Sequence, residues 1–226
     1  TAGDLSYVGT AYTFKAVLKE YTMWSWGRAS GGQLGINLPV NAHRSSPTQI
    51  PGTTWGDIGG VKTDGTLWTW GWGGWGQLGQ NSRTNYSSPV QVGSDTTWKF
   101  HFHRHNTTHA TKTDGTLWSW GYNQHGRLGI NNTTAYSSPV QIPGTTWPTS
   151  NDNQFAHNAG GISAAAIKTD GTLWTWGNYN EGSLGQNSNV AYSSPVQIYG
   201  GGTTWKCIAD GMSNGFAATK TDGTLW

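Results

Sequence analysis

Short apolar segments flank an Asp-Gly pair at four places along the chain. In the copy at Asp170, residues 164–168 precede the pair, and residues 172–176, which include Leu-Trp-Thr-Trp, follow it. A type I′ hairpin turn needs positive φ at both central residues, which Asp tolerates and Gly adopts freely. The pattern therefore predicts antiparallel strands joined by type I′ turns, with both strands of each pair buried.

The hairpin belongs to a repeat with a period of about 50 residues. Its motif, Lys-Thr-Asp-Gly-Thr-Leu-Trp, occurs at 62–68, 112–118, 168–174 and 220–226, with a degenerate copy at 19–24. Every copy but the last is followed by Trp-Gly, a link ending in Leu-Gly, Ser-Ser-Pro and Thr-Thr-Trp. We divide this single repeat domain into units of about 1–55, 56–98, 99–147 and 148–205, with a partial unit at 206–226.

Each unit is predicted to hold three to four short strands. Its Ser-Ser-Pro segment is extended, because the residue before proline is pushed toward β or polyproline II conformations. Proline lacks a backbone donor, so this strand belongs at the outer edge of its sheet. Such strands at a fixed period favour an all-β propeller of about four and a half four-stranded blades. Stretch 56–61 is shorter than its counterparts, which indicates a lost innermost strand.

Composition narrows the classes of function. Only 11% of the residues are charged, the net charge is +2, and no Lys/Arg cluster provides a footprint for nucleic acid. No run approaches the roughly 18 apolar residues of a membrane-spanning helix, so no membrane insertion is predicted. Cys207 is the only cysteine, which excludes an internal disulfide framework and a cysteine-based metal cage.

The order of these motifs resembles the repeat of the regulator of chromosome condensation family. The resemblance covers essentially the whole chain and implies a seven-bladed propeller with four strands per blade. The family's frequent histidine before the Asp-Gly hairpin is replaced here by Thr107, Ser163 and Gly215. Because the units are too few for seven blades, we expect part of a longer repeat protein, with a complete five-bladed ring as the alternative.

The polar residues give little indication of chemistry. One Asp per turn supplies too few oxygens for calcium, so we interpret the turn aspartates as structural. The histidines His101, His103 and His105 alternate along a predicted strand and are weak metal candidates, with no adjacent carboxylate to complete a site. No catalytic triad spacing, phosphate-binding loop or dinucleotide fingerprint is present, so we predict neither an enzyme nor a cofactor.

The candidate binding residues lie in the variable link between Trp-Gly and Leu-Gly. They are Trp72, Trp75, Tyr122, His125 and Tyr179. Variation on a constant scaffold is typical of binding loops, and exposed Trp and Tyr are enriched at interfaces. The alternative is that Trp72 and Trp75 only pack against the adjacent blade.

We expect a non-catalytic structural or adhesive interaction module that binds a protein partner or a surface glycan as part of a larger assembly. The near-identical, weakly charged repeats resemble those of bacterial and phage members of the family, which implies display on a virion or on the cell surface, or an extracellular location. Two alternatives remain open: a secreted inhibitor that plugs an enzyme with its aromatic links, and, by family analogy alone, a guanine-nucleotide exchange or chromatin-binding factor.

Overall fold

The computed structural model describes residues 22–39, 41–53, 60–150, 153–158, 161–209 and 215–226. Residues 19–21 of the degenerate first hairpin copy therefore lie outside the described residues, as do residues 56–59 of the short stretch 56–61. No helix in the described ranges is long and apolar enough to cross a membrane.

Strands dominate the part of the chain that the structure describes. In chain order they are β1 (Trp24–Gly27), β2 (Arg44–Gln49), β3 (Trp68–Gly71), β4 (Tyr86–Gln91), β5 (Trp98–Arg104), β6 (Thr107–Lys112), β7 (Leu117–Gly121), β8 (Tyr136–Gln141), β9 (Phe155–His157), β10 (Ser163–Ile167), β11 (Leu173–Gly177), β12 (Tyr192–Gln197), β13 (Trp205–Ala209) and β14 (Ala217–Lys220). The described helical structure consists of single 3₁₀ turns at Gln124–Gly126 and Asn180–Gly182.

These strands form consecutive antiparallel sheets, which are the blades of a β-propeller. β5–β8 and β9–β12 are complete four-stranded blades with their strands in chain order. β1–β2 and β3–β4 correspond to the outer strand pair of such a blade, and β13–β14 to the inner pair. An isolated bridge between Val61 and Leu67 extends the β3–β4 blade inward. The predicted all-β propeller with four-stranded blades is confirmed.

The Ser-Ser-Pro segments lie where the missing proline donor predicts. They form β2, β4, β8 and β12, each the outermost strand of its sheet. The third strand of each blade pairs with this outer strand through an irregularity in register, as between Ser119 and Gly121. Because these strands are at the edge of their sheets, no neighbouring strand needs the backbone donor that proline lacks.

The Asp-Gly hairpins form as predicted, but the predicted turn type is wrong. Only the glycine has positive φ, 79° at Gly171, while Asp170 does not. The Gly171 amide donates to the Lys168 carbonyl at 2.9 Å, and the Lys168 amide donates to the Thr172 carbonyl at 2.9 Å. This pattern fits a type I turn followed by a glycine bulge, in which Asp need not adopt a left-handed conformation.

The turn aspartate acts as a local acceptor. Asp170 Oδ1 accepts hydrogen bonds from the Thr172 amide at 3.0 Å and the Thr172 hydroxyl at 2.6 Å. That hydroxyl in turn accepts the indole N–H of Trp174 at 2.8 Å. Hydrogen bonds to Thr172 lower the pKa of Asp170. The same relay occurs in the hairpins of Asp64, Asp114 and Asp222.

The hairpin lysine joins two motifs that are far apart in the sequence. Lys112 Nζ lies 4.1 Å from the ring centroid of Trp118 and 4.7 Å from that of Trp98. The two indoles meet edge to face with centroids 6.2 Å apart. The next two blades repeat this arrangement around Lys168 and Lys220. The Lys of Lys-Thr-Asp-Gly and the Trp of Thr-Thr-Trp are therefore parts of one cation–π contact.

The tryptophan of the Trp-Gly motif connects a blade to the blade before it at three of the four motifs. The indole N–H of Trp120 donates to the Gln77 carbonyl at 2.9 Å, and the side chain is fully buried. Its ring lies so close to Gly79 that a Cβ there would stand 2.9 Å from Nε1. Trp70 donates to the Gln33 carbonyl, and Trp176 to the Arg127 carbonyl, in the same way. We call this repeated contact the indole seam.

A second row of contacts runs beside the indole seam. The Asn81 amide donates to the Ser137 carbonyl of the next blade at 2.7 Å. A Cβ on Gly76 would lie 2.7 Å from Cα of the same serine, so only glycine fits without a shift. Equivalent hydrogen bonds join Asn37 to Ser87 and Asn131 to Ser193. The Leu-Gly and Ser-Ser-Pro motifs are thus the two sides of one interface.

Two buried histidines meet between the complete blades. His157 Nε2 on β9 lies 3.0 Å from His109 Nδ1 on β6. His109 is fully buried, and His157 is nearly so. Burial lowers the pKa of His109 to about 3 and holds the pKa of His157 well below its ordinary value. Both imidazoles are therefore neutral in the folded protein at neutral pH.

We predict that Trp120→Phe lowers the free energy of unfolding by about 2 kcal/mol, because it leaves a cavity and removes one of the two hydrogen bonds to the buried Gln77 carbonyl. Urea denaturation measures the change. The matched control is Trp72→Phe, since Trp72 is 42% exposed and should tolerate the exchange. Equal losses at both positions would contradict the importance assigned to the indole seam.

We also predict that stability falls as the pH drops below about 6.5, the ordinary pKa of histidine. In the unfolded chain His109 and His157 take up protons there, whereas in the fold they do not until far lower pH. Each histidine contributes a slope of up to about 1.4 kcal/mol per pH unit. The double variant H109Q/H157Q should reduce the slope of the unfolding free energy between pH 6.5 and pH 4, as followed by urea titrations at stepped pH. Part of the slope should remain, because burial also lowers the pKa of His101 to about 3.

The exposed His125 gives the control for this pH dependence. His125→Gln should leave the slope as it is in the unmodified protein. A double variant that retains the full slope would show that the buried pair is not its source.

Candidate binding face

The variable links all lie at one end of the blades. Each link follows the glycine that ends β1, β3, β7 or β11, and this glycine pairs with the residue that begins the outer strand, as Gly121 does with Tyr136. The Asp-Gly turns lie at the opposite end of the same strands. Links 28–32, 72–76, 122–126 and 178–182 therefore share one face, which we call the loop face.

A buried amide fixes the third link on this face. Asn123 Nδ2 donates to the carbonyls of Asn132 and Thr134, both at 2.9 Å. Its Oδ1 accepts the Leu128 amide at 2.9 Å. Because all these groups lie in one blade, the link is held rigidly to its own sheet. Asn123 is thus a scaffold residue and not a free ligand-binding group.

Two of the predicted binding residues meet across adjacent blades. The rings of Trp75 and Tyr122 have centroids 4.4 Å apart and are tilted by 38°. The guanidinium carbon of Arg127 lies 4.8 Å from the Tyr122 centroid. The Tyr122 hydroxyl donates to Gln124 Oε1 at 2.5 Å. Tyr122 is therefore fixed by its neighbours, while Trp75 keeps 36% of its surface exposed.

Trp72 combines packing with exposure. A Cβ on Gly74 would lie 2.4 Å from the Trp72 indole, so the ring rests on its own link. A Cβ on Gly31 of the preceding blade would lie 3.2 Å from Trp72 Cβ. The side chain nevertheless remains 42% exposed. Trp72 and Trp75 thus contact adjacent blades and still offer apolar surface to a partner.

A cleft of about 690 Å³ opens beside Tyr122. It is lined by Tyr122, Asn123, Gln124, His125, Thr133, Ala135, Ala191 and Ser193. The lining comes from two complete blades and contains hydroxyl, amide and imidazole groups but no Asp, Glu, Lys or Arg. Its chemistry suits a polar, uncharged ligand surface.

The remaining candidates take different positions. His125 lines the cleft and has a left-handed backbone, with φ of 62°. Tyr179 is 42% exposed on the next link, and within the described residues it makes no ring contact with the other candidates. The structure thus brings Trp75, Tyr122 and His125 together and leaves Tyr179 apart.

The histidine-rich strand does not present three imidazoles in a row. His101 and His103 lie on β5 and line a cavity of about 140 Å³ with Trp68 and Trp70 of the preceding blade. His105 lies in the turn after β5, with φ of 49°. Among the described residues, no three His, Cys, Asp or Glu side chains gather as a metal ion would need.

Sequence reasoning missed the pairing of His109 with His157. The only available signal was the presence of His109 shortly after the histidine-rich segment. His157 is 48 residues further along the chain, in the irregular stretch before the next hairpin. Only the packing of β6 against β9 brings them together.

The fold and the loop face together define a β-propeller with variable links presented at one end. The family model for the regulator of chromosome condensation (RCC1) repeat matches residues 64–100, 114–161 and 170–209, which make up more than half of the chain. The chain belongs to this family, as the motifs predicted. No curated protein sequence matches the chain.

Solved structures share the architecture of the chain. Human WBSCR16 has a TM-score of 0.68 at 20% identity, with 88% of this chain and 53% of that one covered. Yeast RCC1 (Prp20), in its complex with Kap60, has a TM-score of 0.68 at 16% identity, and the match covers 90% of this chain and 51% of that one. Prp20p from Saccharomyces cerevisiae has a TM-score of 0.64 at 20% identity, and the match covers 89% of this chain and 52% of that one. The chain thus spans about half the length of these propellers, and the likeness concerns the fold.

We predict that Trp75 and Tyr122 are energetically coupled by about 0.5–1.5 kcal/mol, the range for aromatic pairs. A double-mutant cycle with Trp75→Ala and Tyr122→Ala measures this term by urea denaturation. Additive losses would show that the ring contact contributes nothing to the junction between the blades. A parallel cycle with Trp72→Ala should be nearer to additive, since the structure shows no ring contact between Trp72 and Tyr122.

Proposed function

We propose that this chain is a non-catalytic interaction module that binds a protein or glycan partner through its loop face. The observation that carries the proposal is the exposed indole surface of Trp72 and Trp75 beside the cleft at Tyr122. Side chains on a rigid scaffold lose little freedom on binding, and Trp and Tyr are frequent binding anchors. The repeated contacts of the indole seam hold these links in place.

The chemistry of the cleft favours an uncharged, polar partner surface. Gln124 Oε1 accepts a hydrogen bond from the Tyr122 hydroxyl. The amide nitrogen of Gln124, Nε2, is left to donate to a ligand. His125 and Thr133 are exposed at the rim. Aromatic faces beside amide and hydroxyl groups match the alternating apolar and polar surface of a saccharide, and they also suit a protein loop.

We further propose that the protein is displayed on a virion or at a cell surface, where several copies of a rigid, weakly charged module would engage a partner together. Low charge and near-identical repeats support this placement. Measuring its copy number in purified virions tests the idea. A protein found only in the soluble cell fraction would contradict it.

Binding through the loop face predicts that Trp72→Ala and Trp75→Ala each weaken partner binding by about 2 kcal/mol, or roughly 30-fold in Kd, as hot-spot residues do. A glycan array identifies saccharide ligands, and calorimetry with a positive ligand gives the Kd. Should the array give no signal, cross-linking at the loop face identifies a protein partner for the same variants.

Tyr199→Ala is the matched control. Tyr199 is 71% exposed but follows β12 at the opposite end of the blade, beside the Asp-Gly turns. Its loss should leave binding unchanged. A partner that responds to Tyr199 and ignores Trp72 and Trp75 would place the binding surface on the other face.

The solved relatives offer a second candidate. Prp20p is described with its binding to Gsp1p and histones. By family analogy, guanine-nucleotide exchange or chromatin binding is the function to compare. Histones are strongly basic, and the lining of the cleft contains no carboxylate to attract them. Stimulated release of guanine nucleotide from a small GTPase would favour this candidate over the proposed one.

A further inference from the structure

The cleft beside Tyr122 has two walls that belong to different blades. The β5–β8 blade forms one wall, and Ala191 and Ser193 of the following blade form the other. A Cβ on Gly126 would lie 2.4 Å from the Ser193 Cα, and the Asn131 amide donates to the Ser193 carbonyl at 2.7 Å. These contacts fix the separation of the two walls, so the shape of the cleft does not depend on a ligand.

Several polar groups of the cleft are available to a ligand. The Tyr122 hydroxyl donates to Gln124 Oε1, so the phenolic oxygen can still accept a hydrogen bond. In the part of the chain that the structure describes, Gln124 Nε2 and the hydroxyls of Thr133 and Ser193 make no hydrogen bond to the protein. The cleft thus offers both donors and acceptors, which suits a ligand whose hydroxyl groups also donate and accept.

The charges around the cleft favour a neutral ligand. The lining contains no Asp, Glu, Lys or Arg. The nearby Arg127 is buried, and its guanidinium donates to the carbonyls of Gln124 at 3.1 Å and Gly161 at 3.2 Å. A charged group that entered the cleft would lose hydration without meeting an opposite charge in the lining. An acidic sugar or a charged peptide is therefore a poorer fit than a neutral saccharide.

Two alanines give the cleft a small apolar surface. Ala135 and Ala191 come from the two walls, and both are half-buried. They lie in the same lining as the Gln124 amide. A ligand group that joins a methyl to a carbonyl can contact the alanines and accept from Gln124 at the same time. The acetamido group of an N-acetylhexosamine has this combination.

An exposed indole lies next to the cleft on the side away from Ala191. Trp75 belongs to the preceding blade, and its ring centroid is 4.4 Å from that of Tyr122. Its side chain is 36% exposed, so part of the ring is open to a ligand. A linear ligand that leaves the cleft over Tyr122 therefore meets this apolar surface next.

We propose that the cleft binds an acetamido sugar of a neutral, linear oligosaccharide, with the adjoining sugar ring against Trp75. Gln124 Nε2 donates to the acetamido carbonyl, and the acetamido methyl contacts Ala135 and Ala191. Sugar hydroxyls pair with those of Thr133 and Ser193. This inference rests on the proposed function, because it names the ligand class of the same face.

The probe is tri-N-acetylchitotriose, and the matched ligand is cellotriose, which has the same linkage but carries a hydroxyl in place of each acetamido group. In calorimetry the Kd of tri-N-acetylchitotriose should be lower by at least about tenfold, since the acetamido group adds a hydrogen bond and a buried methyl. In saturation-transfer NMR its methyl protons should receive the strongest signal. Free N-acetylglucosamine should bind at least about tenfold more weakly than the trimer, because one ring cannot reach both the cleft and Trp75.

Gln124→Glu tests the predicted donor. The carboxylate can still accept the Tyr122 hydroxyl, but the N–H group is lost, so the Kd of the trimer should rise about tenfold. Gln141→Glu is the matched control, because this exposed residue undergoes the same change in charge at the opposite end of β8. It should leave the Kd unchanged. Thermal unfolding of both variants checks that the fold persists.

Three results would overturn the inference: no binding of the trimer up to its solubility limit, equal Kd values for the trimer and cellotriose, or trimer binding that ignores both Gln124→Glu and Trp75→Ala. A protein partner that is lost with Trp72→Ala and Trp75→Ala, together with no binding of the trimer, would overturn this inference and leave the proposed function standing. Loss of both kinds of binding would count against the loop face itself.

Discussion

The structure depends on the insertion of one indole between successive blades, by Trp70, Trp120 and Trp176. A single sheet with two apolar faces cannot bury both of them by itself, and a neighbour on each side solves this problem. Trp120 covers apolar area of both sheets while its N–H donates to the buried Gln77 carbonyl, which also accepts the Thr108 hydroxyl. The ring can enter only because the facing residue, Gly79, has no side chain. Trp-Gly and Leu-Gly are therefore constrained together, although they act in different blades.

This constraint separates the constant from the variable parts of the repeat. The cation–π cluster around Lys112, the Asp114 relay and the indole seam use most of the repeated residues. The link between the two glycine motifs makes fewer of these contacts, so its sequence is free to change. Substitution in the link then alters the loop face without disturbing the junction between blades. Such a division suits a scaffold that presents different binding residues on one architecture.

The local features were predictable because they depend on neighbouring residues. The hairpin at Asp170 and the edge position of Pro195 followed from turn chemistry and from the missing proline donor. The turn type was not predictable from the sequence, because a glycine after Asp supports both a type I′ turn and a type I turn with a bulge. The choice is set outside the turn: the Gly171 carbonyl accepts the amide of Trp205, which begins the next blade.

By itself the sequence determined the repeat, the hairpins, the order of strands within a blade and the family. These depend on periodicity and on backbone preferences that operate over a few residues. Tertiary structure alone decided the contact of Trp75 with Tyr122, the cleft beside it and the buried pair of His109 and His157. Each of these joins residues of different blades, and their distance and burial are set by how one sheet packs on the next. No local pattern encodes that geometry, so the candidate residues could be named in advance but not their arrangement.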